Sequence, residues 1–159
     1  MSSRLKSNSF SKTFSLKKIN NIKIGIVVSD WHPEVTEELY NGALKVLIKC
    51  GIKKENILRK NVPGSFELPL GAQILLNKKY NAAICLGCVI KGETDHYQFI
   101  CEAVANGIMN VSLSHNKPVA FGVLTTNNLP QALNRAGGKL GNKGEDAAIA
   151  ILQMLALKN

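Results

Sequence analysis

The stretch NAAICLGCVIKGETDHYQF, Asn81 to Phe99, changes character halfway along. From Asn81 to Ile90 it is almost entirely small or apolar, the pattern of a strand covered on both faces. Lys91-Gly-Glu-Thr-Asp-His96 then interrupts it with charge and a glycine. From His96 to His115 the residues Phe99, Ile100, Ala103, Val104 and Ile108 recur at helical spacing. A strand buried on both sides, a polar turn and a helix make half of a parallel crossover unit. An antiparallel strand with one wet face would instead alternate apolar and polar residues.

The same unit recurs outward in both directions. Asn21 to Val28 reads as a β-branched strand ending at Ser29-Asp30. Pro33 suits a first helical position, with Glu34, Glu37 and Glu38 near the helix's positive end. Val35, Leu39, Ala43, Val46 and Leu47 carry that helix, and Gly51 is its expected stop. Ile57 to Val62 is a second strand closed by Pro63-Gly64, and Phe66 to Lys78 a second helix with Ser65 as its N-cap. Val119 to Leu124 is a fourth strand, followed by helices from Leu129 to Ala136 and from Asp146 to Leu157. Four β-α units without a linker predict a four-stranded parallel sheet with helices on both faces. That is a three-layer α/β/α sandwich resembling the flavodoxin type, with strand order 2-1-3-4.

A chain of 159 residues, 45% apolar and 19% charged, can bury a core of its own without disulfides or metals. Its longest apolar runs are too short to span a bilayer, so no membrane partner is expected. The net charge of +9 invites a nucleic-acid reading, but Arg4, Lys6, Lys12, Lys17 and Lys18 supply five of those charges with no acidic residue among them. The chain therefore divides into a basic N-terminal arm, residues 1–20, and one domain, residues 21–159. The arm lacks the continuous apolar core of a secretory signal. It suits a mobile or partner-docked segment, with organelle targeting as the alternative. Cys85 and Cys88 lie three apart on a strand and point to opposite faces, so they converge on neither a metal nor a disulfide. With Cys50 and Cys101 they read as buried, reduced thiols, which suits a cytoplasmic compartment.

Parallel sheets bind ligands beyond the carboxyl ends of their strands. In this chain every such end carries an unusual stretch: Ser29-Asp30-Trp31-His32, Pro63-Gly64-Ser65-Phe66-Glu67, Lys91 to His96, and Thr125-Thr126. Gly92 lets the backbone turn closely, Asp95 with Gln98 suggests a capping box, and the helix start favours an anion such as phosphate. His96 in that first turn is suited to proton transfer; an ordinary surface histidine is the competing reading. Trp31 can stack on a planar heterocycle or pack in the core. Glu67 can hold a ligand's N–H groups or simply face the helix dipole. The connector Arg135-Ala-Gly-Gly-Lys-Leu-Gly-Asn-Lys-Gly144 is either a flexible basic link or a site where Arg135 clamps phosphate. His32 and His115 read as surface or capping residues.

Val62-Pro-Gly-Ser-Phe-Glu-Leu-Pro69, Gly87 to Tyr97, Phe121-Gly-Val-Leu-Thr-Thr126, and Arg135-Ala-Gly with Gly141-Asn-Lys-Gly144 together resemble the lumazine synthase family, from about Ile22 to Leu157. The resemblance implies a transferase of riboflavin biosynthesis. It condenses 5-amino-6-(D-ribitylamino)uracil with 3,4-dihydroxy-2-butanone 4-phosphate to 6,7-dimethyl-8-ribityllumazine at the penultimate step, with no metal and no cofactor. It implies that His96 transfers protons. It implies that Trp31 (where the family usually has phenylalanine), Ser65, Phe66, Glu67, Cys88, Val89, Ile90 and Phe121 bind the ribitylaminouracil. Glu93, Thr94 and Arg135 are implied for the butanone phosphate, with Lys143 an additional candidate. It further implies pentamers, in some members closed into an icosahedral shell of twelve, with sites between subunits and Phe121 supplied by a neighbour. Riboflavin synthase is a candidate partner, and nucleic acid is not expected. Two other readings predict differently. A flavin-holding module would carry flavin and leave both substrates unchanged. A nucleic-acid binder would lose its salt-dependent affinity with residues 1–20.

Overall fold

Ile24 has Ile57 on one side and Ala82 on the other, and every residue of its strand is buried. The computed structural model describes residues 21–157, so the basic arm lies outside the described residues. Strand β1 (Ile24–Ser29) pairs in parallel with β2 (Ile57–Val62) and β3 (Ala82–Ile90), and β3 pairs in parallel with β4 (Val119–Thr126). The sheet order is β2-β1-β3-β4, as the alternation predicts.

Alternate residues of the central strands feed two cores. Ile24, Ile26, Val28, Ile84 and Leu86 pack with Leu39 and Leu47 of α1 (Pro33–Lys49) and with Ile151 and Leu152 of α5 (Lys143–Leu157). Val27, Ala83 and Cys85 face Leu68, Leu75 and Leu76 of α2 (Leu68–Asn77) and Val104 and Ile108 of α3 (His96–His115). Each fully buried Leu, Ile or Val contributes about 1.5–3 kcal/mol relative to exposure, which is why β1 and β3 tolerate no charge. Gly51 stops α1 as expected. Its φ of 94 is left-handed, and Gly51 N–H donates to Ile48 O and Ile52 N–H to Leu47 O, each at 3.0 Å, in a Schellman closure with Ile52 buried on Leu47's cluster.

Several local expectations are corrected. The second helix does not begin at Phe66 with Ser65 as its cap. Ser65–Glu67 forms a 3-10 turn, and α2 starts at Leu68 with no side-chain cap. Pro69 lacks the N–H that would bond back to Ser65, so the regular helix can begin only where proline falls in its first turn. Asp95 and Gln98 do not form a capping box. Asp95 has helical angles (φ −71, ψ −3) and caps nothing, while the Gln98 amide donates to Glu102 at 2.9 Å. The Arg135–Gly144 connector is not loose. After α4 (Leu129–Arg135) it forms an antiparallel hairpin of β5 (Ala136–Gly138) and β6 (Gly141–Asn142), and α5 starts at Lys143 rather than Asp146. Asn142 explains the early start. Its Oδ1 accepts from Gly144 N–H at 2.8 Å and Glu145 N–H at 3.3 Å, while its Nδ2 donates to Glu38 O of α1 at 2.8 Å.

Cys85 and Cys88 are buried in opposite cores, as their spacing requires. Cys50 and Cys101, expected buried, are only half-buried, the first at the end of α1 and the second on α3. All four are free thiols.

Candidate active site

The carboxyl ends of β1, β2 and β3 and the start of α3 surround an open cavity of roughly 680 Å³, a size suited to a small ligand. Its walls bring together Trp31, Ser65, Phe66, Glu67, Cys88, Val89, Ile90 and His96, eight of the residues singled out in the sequence. Trp31 follows β1 and is 69% exposed, which decides against core packing. Phe66 and Phe99 are 57% and 69% exposed around the same cavity. Three large rings left in water about one concavity mark a surface meant to be covered by a flat apolar partner.

The β2–α2 connection sets the cavity's shape. Gly64 lies close to both walls: a Cβ there would stand 3.2 Å from the Glu67 carboxylate and 3.5 Å from Trp31 Cδ1. Ser65 turns inward. Its hydroxyl is buried without a partner and lies 2.5 Å from where a Cβ on Gly87 would stand. Contacts from Ser65 to a ligand therefore fall to its backbone. Burial, with a smaller contribution from Glu34, pushes the Cys88 thiol up to about 12, so it is a neutral wall rather than a nucleophile.

His96, the first residue of α3, is exposed on the cavity rim. No side chain caps α3; the Gln98 N–H donates to Asp95 O at 3.0 Å, which leaves the amides before it, at the helix start, for water or an anion. Glu93 and Thr94 lie in the exposed segment leading to that turn but do not line the cavity. Gly92 differs from expectation: a Cβ there would meet nothing within 4 Å, so no close approach demands glycine in this chain.

Phe121, Arg135 and Lys143 are not brought to the cavity by this chain alone. Phe121 sits on edge strand β4 opposite Cys85, 37% exposed. Arg135 ends α4, where its Nη1 donates to Leu140 O at 2.5 Å and its Nη2 to Asp146 at 3.1 Å. Lys143 opens α5 and does not line the cavity.

Sequence reasoning missed His32, Gly64, Phe99 and Ile100 among the lining residues. Phe99 was assigned to the core face of α3, yet it lies one turn after His96 and so shares its face. The sequence presents His32 as a surface or capping residue. It is the N-cap of α1, in the left-handed region at φ 57, and its ring lies tilted 6.3 Å from that of Trp31. Among the described residues no group of three His, Cys, Asp or Glu side chains could hold a metal, and no helix is long and apolar enough to cross a membrane.

The family model described as 6,7-dimethyl-8-ribityllumazine synthase matches residues 21–159. The chain is 64% identical over 133 residues to a 6,7-dimethyl-8-ribityllumazine synthase of Cytophaga hutchinsonii, covering 83% of this chain and 84% of that one. It is 49% identical over 135 residues to one of Bacteroides fragilis, covering 84% and 94% of the two chains. Over 140 residues it is 46% identical to one of Limosilactobacillus reuteri, covering 87% and 91%.

Proposed function

The chain belongs to the 6,7-dimethyl-8-ribityllumazine synthase family, and from that membership we propose that it forms this lumazine from 5-amino-6-(D-ribitylamino)uracil and 3,4-dihydroxy-2-butanone 4-phosphate, releasing phosphate and water. It is a transferase acting at the penultimate step of riboflavin biosynthesis. The observation that carries the reading is one cavity edged by exposed Trp31 and Phe66, floored by Cys88 to Ile90 and flanked by His96.

The pyrimidine ring lies against the Trp31 indole and the β3 end. Glu67 and the backbone of Ser65 and Phe66 hold the ring's N–H groups and the ribityl chain. The substrate's own amine attacks the butanone carbonyl to give an imine with loss of water, phosphate then leaves, and after enolisation the second amine closes the ring with loss of a second water. No activated protein nucleophile is needed, so the protein's work is positioning and proton transfer. His96 moves the protons. The uncapped start of α3, with Glu93 and Thr94, receives the phosphate, and Arg135 of a neighbouring subunit, joined by Lys143, supplies the counter-charge. Phe121 of that neighbour closes over the ring.

Such sharing requires an oligomer, and we propose a pentamer. Leu70 and Ile74 on α2, and Met109 and Leu113 on α3, are exposed at four-residue spacing on two helices that pack together. An apolar face of this kind supports burial against another copy. Closure of twelve pentamers into an icosahedral shell, a cytoplasmic location, association with riboflavin synthase and docking of the basic arm, residues 1–20, ahead of the domain at residues 21–159, belong to the same proposal.

Mixing both substrates with purified protein tests the reading: lumazine absorbance and phosphate should appear together. Neither signal from an intact, folded oligomer would overturn it. His96→Ala is expected to slow turnover by about a hundredfold, the low end for a positioned acid–base group, without stopping it, because the nucleophile belongs to the substrate. A rate equal to the unmodified enzyme's, measured under the same conditions, would remove His96 from the mechanism.

A further inference from the structure

The turn that carries Trp31 is tied down on both sides, although the indole itself is 69% exposed and has little packing to orient it. On the preceding side is a chain of polar contacts that begins on α1. Arg59 on edge strand β2 forms a two-armed pair with Glu37, one arm at 2.8 Å, and its guanidinium lies 4.5 Å above the Tyr40 ring. The same guanidinium donates through Nε to Asn61 Oδ1 at 2.9 Å. Asn61 in turn donates through Nδ2 to Asp30 Oδ1 at 2.6 Å, and the Asp30 N–H donates to Val62 O at 2.9 Å. Asp30 immediately precedes Trp31. On the following side, His32 is held in the left-handed region, and its carbonyl accepts the N–H groups of Val35 and Thr36 at 2.9 and 3.0 Å.

An exposed ring takes its aim from its backbone, and the backbone here takes its aim from these bonds. Bidentate arginine–carboxylate pairs are among the most geometrically exacting contacts available to side chains. The Arg59 hydrogen bonds hold the Glu37 carboxyl below its ordinary range, so the pair is fully ionised at neutral pH. Period-two spacing places Arg59 and Asn61 on the same face of β2, toward α1, which lets one strand connect the helix to the turn.

We propose that Asn61, held in place by Arg59 and Glu37, is a positioning residue: by fixing the Asp30 carboxylate it aims the Trp31 indole at the pyrimidine ring. The inference rests on the reading of Trp31 as the stacking partner. None of Glu37, Arg59, Asn61 or Asp30 lines the cavity, so their effect on the substrate is indirect, passed through the turn that Asp30 shares with Trp31. The chain of contacts also has a polarity, with a donor required at position 61 facing an acceptor at position 30.

That polarity supplies the test, made on the full chain with the two substrates varied separately. Asn61→Asp sets two carboxylates against each other and is expected to raise KM for the ribitylaminouracil about tenfold, because small displacements of a positioning group are costly. KM for the butanone phosphate should stay within about twofold, since the brace does not reach the phosphate site. The exchanged pair, Asp30→Asn with Asn61→Asp, restores one donor facing one acceptor and should return the raised KM to within about twofold of its original value. A purely structural role would lower the melting temperature and affect both substrates alike. An unchanged KM in Asn61→Asp, or a raised KM that the exchanged pair does not restore, overturns the proposal. Should Asn61→Asp not fold, Arg59→Met releases the same brace, and an unchanged pyrimidine KM there overturns it equally. Trp31→Ala separates the two claims. If it leaves KM unchanged, the stacking reading fails. If it raises KM while the brace variants do not, only the brace fails.

Discussion

Gly144→Ala is expected to lower stability by about 3 kcal/mol or more, a large part of what a domain of this size has to lose. A Cβ at position 144 would stand 1.9 Å from the Leu39 carbonyl oxygen and 2.7 Å from its carbon. Those are backbone atoms inside α1, so no side-chain rotation relieves the clash. Only separation of α1 from α5 would, and that pulls Leu39, Leu47, Ile151 and Leu152 apart in the larger core. The contact cannot slide along the helix either, because Asn142 fixes its register: it caps α5 and donates to Glu38 O, beside Gly42, where any Cβ would meet Asn142 at 2.5 Å. Chemical denaturation should show an early midpoint or no native baseline. A midpoint near that of the unmodified chain would show that the α1–α5 approach is looser than these distances.

Arg135→Ala is expected to reduce kcat/KM by about a hundredfold or more, the scale for removing one strong donor from developing or departing negative charge. The guanidinium is not a free-swinging cation. Leu140 O in the hairpin and Asp146 on α5 hold it at the end of α4 and fix the direction of its fork. Arg135→Lys keeps the charge and loses the fork, and should fall between the two. Turnover by Arg135→Ala close to that of the original enzyme would remove the phosphate role and leave Arg135 as a hairpin clasp.

The sheet was legible because its strands obey one rule. β1 and β3 are apolar on both faces, so their existence and central place follow from the residues alone, although β1 runs Ile24–Ser29 rather than Asn21 to Val28. α1 and α3 were equally plain, with proline at one start, glycine at one stop and helical spacing throughout. What escaped was decided by partners distant in sequence or by backbone detail. The β5–β6 hairpin is tied to α1 where Asn142 reaches a carbonyl, a contact 104 positions away that no local pattern announces. The absent cap at Asp95 depends on its φ and ψ rather than on its residue type. Site residues on strand ends, Trp31 through His96, were found because the topology gathers those ends at one place. Phe121 is named from family resemblance and Arg135 from its basic connector as well as that resemblance, and one chain alone does not bring them to the cavity.

The central claim is that the pyrimidine ring lies against Trp31 in the cavity at the strand ends. Trp31 is the chain's one tryptophan, so its fluorescence reports that surface without a label. Titrating the protein with 5-amino-6-(D-ribitylamino)uracil should quench this emission saturably, at concentrations matching the KM for the same substrate. Saturable binding with unchanged tryptophan emission would contradict the claim and move the ring elsewhere.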